Sequence, residues 1–312
     1  MKMIFHRIRY NFYVSFILSL FLKPIYIFFN FIAKHIEKKV WINGRSVRYD
    51  GYQIFFPKNI GVSYSSKIFW KETNGFEADT YYVLKELFIV GDYFFDVGAN
   101  IGLYSVLAKK NNPYLNVTAF EPIKEIYNQN EIFKLYNSVK YRLHNIALSN
   151  KMGYQNIYLP KTNSIDIETT ATLRKDSWQK IKNHITFQVE TKLLDNIVSE
   201  MDIENTAKII IKIDVEDYET SVLEGMSNTI KKYKPIIICE VLSRNHKNKA
   251  FLKQVDKMNY SVFGITTGGC FRMTNMDFCK KRKFRDFILC HKNTFLGENY
   301  ITSNDLSTIF KI

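Results

Sequence analysis

The 312-residue chain is 46% hydrophobic and 24% charged, with only 13 Gly and 6 Pro, which supports a large packed core and excludes disorder, collagen and low complexity. Its net charge of +14 is unevenly placed: residues 1–50 hold 9 Lys+Arg against 2 Asp+Glu, residues 242–312 hold 13 against 5, and residues 51–241 hold 22 against 23. A cleft that follows nucleic-acid phosphates carries its basic excess at the site, so the neutral middle argues against a polyanion and nucleic acid is not expected as a partner.

The chain opens with two apolar runs, residues 12–22 (FYVSFILSLFL) and 25–33 (IYIFFNFIA), separated by Lys23 and Pro24. Neither reaches the roughly 18–20 residues that span a bilayer. Joined, they would bring a lysine near the hydrocarbon centre at about 2.5–3.5 kcal/mol. A bent pair of helices is expected, lying on a membrane surface or packed on the domain or a partner subunit. Lys2, Arg7, Arg9, Lys34, Lys38 and Lys39 flank the runs and suit an anionic membrane surface. No small-residue cleavage site follows the first run, which argues against a signal peptide.

Residues 40–70 alternate β-branched and aromatic residues with polar ones around Asn43-Gly44 and Asp50-Gly51, a pattern for short hairpins and a small β lead-in. Helical spacing of Tyr81, Leu84, Leu87 and Phe88 predicts a helix over 77–90. Strands are then expected at 93–97, 115–120, 141–146, 209–214, 236–241, 261–265 and 294–296, with helices at 123–135, 218–232 and 249–258. Alternating strands and helices imply a mostly parallel, doubly wound α/β sheet, whose ligands bind beyond the carboxyl ends of the strands. Residues 161–183 are polar and irregular, and read as a lid-like loop over that edge.

The first strand of this series runs into Asp96, Gly98, Asn100 and Gly102 before a helix (DVGANIG). Glycines there admit a ligand to the helix amino terminus. A dinucleotide fingerprint would need glycine at 100 and 103, where the chain has Asn100 and Leu103. S-adenosylmethionine needs no pyrophosphate cradle, and its sulfonium and amino-acid end suit an acid such as Asp96. Glu121 follows 23 residues after Gly98 at the end of the next strand, where a carboxylate clasps ribose hydroxyls.

A second cluster, IKIDVEDYE from Ile211 to Glu219, straddles a strand end and a helix start. Period-two alternation sets Lys212 and Asp214 on one face. A lysine and carboxylates in a low-dielectric site form a general base or an oxygen-rich site for a divalent metal, and the alternative is that Asp214 or Asp217 caps the helix. Glu240 ends the next strand, beside Asp214 if the two strands are neighbours, which makes Asp214 and Glu240 the metal-ligand candidates, and a capping or turn-bonding role for Glu240 is the alternative. His246 is the best-placed histidine for proton transfer. Cys239, Cys270, Cys279 and Cys290 are too few and irregular for a disulfide framework or a zinc site and read as reduced thiols.

DVGANIG, FEP, NIALSN, LLD, IKIDVEDYE and PIIICEV, in this order, resemble the FkbM family of S-adenosylmethionine-dependent methyltransferases over about residues 76–241. The resemblance implies a Rossmann-like methyltransferase fold, with a seven-stranded, mostly parallel sheet whose last strand is antiparallel, and O-methylation of a sugar or secondary-metabolite hydroxyl. By position it implies a cofactor turn at Asp96, Gly98, Asn100 and Gly102, the ribose on Glu121, adenine near Ala147 and Ser149, and a transfer site of Lys212, Asp214 and Glu216. Asp217 stands where the family has Gly, and can begin a helix there as a cap.

The expected organisation is an apolar basic segment at 1–39, a β-rich lead-in at 40–75, a methyltransferase domain at 76–300 and a tail at 301–312. The leading expectation is a cytoplasmic O-methyltransferase, held at the inner membrane face, acting on a saccharide or glycolipid in surface polysaccharide biosynthesis. Its rivals are a non-catalytic docking module on the same fold and an RNA methyltransferase favoured only by the basic flanks.

Overall fold

The computed structural model describes residues 12–28, 40–160, 184–241, 247–266, 269–273, 284–293 and 300–301. The expected loop at 161–183, the strand at 294–296, Cys279 and His246 lie outside these residues. By its internal contacts the chain divides into two units: described residues up to Ala78 together with Asn128–Val139, and the remaining described residues.

In the first unit a single helix, α1 (Phe12–Phe28), continues through Pro24, where a bent pair was expected. Lys23, which was to interrupt the apolar run, instead donates to the main-chain oxygens of Phe69 and of Trp70 at 3.3 Å. Arg45 donates to Ser19 Oγ at 2.7 Å. No helix among the described residues is long and apolar enough to cross a membrane.

The strands β1 (Arg45–Tyr49) and β2 (Tyr52–Phe56) form the hairpin expected at Asp50-Gly51. Both turn residues have positive φ (45° and 84°), as a two-residue primed turn requires. The rest of the lead-in departs from expectation, because Val62–Lys71 is a helix, α2. Its Ser65 and Ser66 hydroxyls each donate to the Val62 carbonyl, Ser65 also to that of Ile42, so the buried serines are satisfied without a strand ladder.

In the second unit α3 (Ala78–Val90) precedes β3 (Tyr93–Val97), α4 (Leu103–Asn111), β4 (Asn116–Phe120), α5 (Lys124–Tyr136, whose later half lies in the first unit) and β5 (Arg142–His144). After a small sheet come β9 (Ile209–Ile213), β10 (Ile236–Glu240), α9 (Lys247–Lys257), β11 (Tyr260–Thr266), β12 (Gly269–Arg272), β13 (Asp286–His291) and β14 (Tyr300–Ile301). Among the described residues the main sheet has nine strands, in the order β14-β12-β11-β13-β10-β9-β3-β4-β5. From β10 to β5 all neighbours are parallel, while β13 is antiparallel to both β10 and β11. Seven strands thus follow the expected pattern, and β12 and β14 extend it at one edge. The antiparallel strand is Asp286–His291, whose run FILC is wholly buried and which was not among the expected strands.

Both β9 (IIIKI) and β10 (IIICE) are buried along their whole length, as strands covered on both faces are. Ile211, Ile213, Ile237, Cys239 and Leu289 pack with Val222, Leu223, Ile230, Phe251 and Val255, each large side chain contributing about 1.5–3 kcal/mol. This core fixes the strand ends where the site lies.

The helix expected over 218–232 is two, α7 (Glu219–Glu224) and α8 (Ser227–Tyr233). They part at Gly225, where a β-carbon would stand 1.9 Å from the Ser149 carbonyl oxygen. Asp195, the acid of LLD on α6 (Leu194–Ser199), accepts from the Asn228 and Thr229 amides at 2.9 and 2.7 Å, so that motif caps α8. A three-stranded sheet of β6 (Ala147–Leu148), β8 (His184–Lys192) and β7 (Gly153–Pro160) was not anticipated.

Candidate active site

Asp96 and Lys212 are register partners on β3 and β9. Asp96 is fully buried; its Oδ2 accepts from Ser105 Oγ at 2.7 Å, while its Oδ1 is buried without a hydrogen-bond donor. Burial raises its pKa against the pull of Lys212. Beyond it Gly98 has φ of 79°, and a β-carbon there would lie 2.0 Å from the Asp214 carbonyl oxygen. Asn100 takes the left-handed region too, at φ 53°, a conformation asparagine tolerates, and so does Gly102, the residue preceding α4, at 86°.

Glu121, 5% exposed, grips this turn: Oε2 accepts the Asn100 amide at 3.0 Å and Oε1 the Ile123 amide at 2.9 Å. Burial pushes its pKa up to about 7, against the two backbone donors and with help from the charges of Asp96 and Asp214. Asn145, which the sequence did not single out, donates Nδ2 to the Glu121 and Pro122 carbonyls, 2.9 Å each. Ala147 lies in β6 of the small sheet. Ser149 is buried, its hydroxyl 3.0 Å from Tyr218 OH and accepting Gln155 Nε2 at 3.2 Å.

Lys212, 4% exposed, donates Nζ to Asp214 Oδ2 at 2.8 Å and lies 4.7 Å from the Tyr104 ring centroid. Glu240, at the end of the neighbouring strand, is held by Arg285 through Nε (2.5 Å) and Nη2 (2.8 Å). Burial would raise Asp214, but Lys212, a hydrogen bond from Glu240 and Arg285 bring it down to about 2. Burial, then the Asp214 charge, pushes Glu240 up to about 10. At neutral pH the two carboxyls therefore hold one proton between them. No local motif announces Arg285; only the return of β13 beside β10 sets it there.

Glu216 and Asp217 both have left-handed backbone, φ 49° and 72°. The residue before α7 is Tyr218, not the expected Asp217 or Asp214, and it makes no side-chain cap bond. Instead Glu219 Oε1 accepts the Asp217 amide at 2.9 Å, and burial with the Asp217 charge lifts Glu219 to about 8. Asp214 and Glu240, the metal-ligand candidates, are engaged by Lys212 and Arg285. Among the described residues no group of three His, Cys, Asp or Glu could hold a metal ion. Cys239, Cys270 and Cys290 are buried free thiols whose pKa values burial raises.

The sequence pattern of the methyltransferase FkbM domain matches residues 96–262, more than half of the chain. The chain belongs to the FkbM methyltransferase family. Among solved structures it is similar to the FkbM methyltransferase of Methylobacillus flagellatus (14% identity, 64% of this chain and 43% of that one, TM-score 0.39), so the chain spans less than half of that protein. It is also similar to a precorrin-6y C5,15-methyltransferase of Geobacter metallireducens (9%, 68% and 86%, 0.38). A third is an O-methyltransferase of Bacillus cereus in complex with SAH (9%, 68% and 78%, 0.37). No curated protein matches. The residues of this FkbM chain fit the family's cofactor, S-adenosylmethionine, on two observations: a buried Asp96 oxygen lacking a donor and a Glu121 carboxyl fixed by backbone amides.

Proposed function

We propose that this protein is an S-adenosylmethionine-dependent O-methyltransferase acting on a hydroxyl of a saccharide or glycolipid. The observation that carries it is the Lys212–Asp214 pair, 2.8 Å apart at the carboxyl end of β9 and against the backbone of the Gly98 turn. Asp96 and Glu121 would hold the cofactor by its amino-acid and ribose ends. When bound, S-adenosylmethionine supplies a methyl group made electrophilic by its sulfonium.

Asp214, whose side chain is 26% exposed, accepts the acceptor's O–H and turns an oxygen lone pair toward the cofactor turn. With a pKa near 2 it is too weak a base to keep a proton from an alcohol, so its work is orientation, and the proton passes on to solvent. Catalysis then comes chiefly from near-attack geometry. An uncharged acceptor agrees with the neutral charge balance of residues 51–241, and reduced thiols agree with a cytoplasmic setting. Glycan hydroxyls are the class that the family resemblance implies.

The test is methyl transfer from labelled S-adenosylmethionine to a panel of saccharide and lipid-linked saccharide acceptors, with the linkage determined by mass spectrometry. Methyl ethers on a hydroxyl are expected. Cofactor binding without transfer to any hydroxyl acceptor, or transfer to RNA instead, would overturn the proposal.

A further inference from the structure

Helix α1 turns its polar groups inward. Ser19 is fully buried and bonded to Arg45, and Lys23 reaches the Phe69 and Trp70 carbonyls. The face that remains outside is apolar: Ile17 (54% exposed), Leu20 (53%) and Phe21 (71%) lie at i, i+3 and i+4, and Pro24 continues the stripe one turn on. A helix on a globular surface normally shows the opposite arrangement. Exposed apolar side chains grouped in this way mark an interaction surface.

Charge decides what covers it. The first acidic residue of the chain is Glu37, and residues 1–50 carry 9 Lys+Arg against 2 Asp+Glu. A second copy of the chain would bring two such cationic segments together, whereas an anionic bilayer complements both the stripe and the charge. Among the described residues the helix runs for 17 residues, which is not long and apolar enough to cross a membrane. From these observations we infer that the α1 face of Ile17, Leu20 and Phe21 docks the protein in the interfacial layer of an anionic lipid membrane. The assignment is independent of the transfer chemistry.

The test uses the full chain and sedimentation with vesicles of phosphatidylcholine alone or mixed equally with phosphatidylglycerol. Binding to the anionic vesicles, weakened by salt, is expected to drop about tenfold or more in Ile17→Glu/Phe21→Glu. Both positions are exposed, and an unchanged melting temperature of the variant certifies its fold. Equal binding by wild type and variant, or no binding by wild type, overturns the inference. So does a wild-type dimer that the variant dissociates without any vesicle binding, which would assign the face to a second copy.

Discussion

Gly98 and Asp214 meet backbone to backbone: a β-carbon on Gly98 would stand 2.0 Å from the Asp214 carbonyl oxygen, and the Asp214 amide donates to the Val97 carbonyl at 3.0 Å. The Gly98 turn and the end of β9 are therefore one rigid joint between β3 and β9. With φ at 79° as well, Gly98→Ala must move one strand end. It is expected to cost about 2–4 kcal/mol, read as a lower urea midpoint, and to abolish the thermal shift with S-adenosylmethionine. A variant as stable as wild type would show that the joint yields.

The Lys212–Asp214 and Glu240–Arg285 pairs answer differently to neutralisation. Asp214→Asn takes from the buried Lys212 ammonium the carboxylate it is bonded to, and a loss of about 3–5 kcal/mol is expected. Glu240→Gln leaves an uncharged acceptor in a pair that already holds one proton, so a smaller change, within about 1 kcal/mol, is expected. Denaturant unfolding at pH 7 compares them, and equal losses would refute a proton shared by Asp214 and Glu240.

Stability should fall as pH rises through the neutral range. Glu121 and Glu219 are raised from 4.5 to about 7 and about 8, so the folded chain holds protons that the unfolded chain has released. Their contribution is full below about 4.5 and lost as pH climbs through 7 and 8, at up to about 1.4 kcal/mol per pH unit for each group. Melting temperatures from pH 5 to 9 should decline, and Glu219→Gln should flatten the upper part of the curve.

Cofactor affinity should move the other way. On the proposed reading ribose hydroxyls would donate to the ionised form of Glu121, which becomes dominant only above about 7. Calorimetric affinity for S-adenosylmethionine is therefore expected to rise by up to about tenfold from pH 6 to 8 and to lose that dependence in Glu121→Gln. A flat wild-type profile would remove Glu121 from the ribose.

Asp217 occupies a left-handed backbone site, φ 72°, next to a buried Glu219 that its charge destabilises. Asp217→Gly relieves both terms and is expected to stabilise by about 1 kcal/mol, seen as a higher urea midpoint. A lower midpoint would mean that the Asp217 side chain is worth more than the strain.

Sequence periodicity was enough for the parallel strands, because β3, β9 and β10 are short apolar runs buried on both faces, ended by turn residues or by the first acid. The same logic failed where two patterns overlap. Residues 62–71 alternate like a strand yet form a helix, since Ser65 and Ser66 find carbonyl partners within reach. The run 218–232 reads as one helix, but breaks where Gly225 must pass the Ser149 carbonyl.

By itself the sequence determined the family, the alternation of strands and helices, and the residue types at the strand ends, because these depend on local order along the chain. Only the tertiary structure decided which charges meet. Arg285 reaches Glu240 from 45 residues away, Asp195 caps a helix 33 residues on, and the apolar side of α1 faces outward because Ser19 and Lys23 are drawn to Arg45 and the α2 carbonyls. Such pairings depend on how strands and helices pack, and desolvation at those contacts sets the protonation states of Asp214, Glu240 and Glu121.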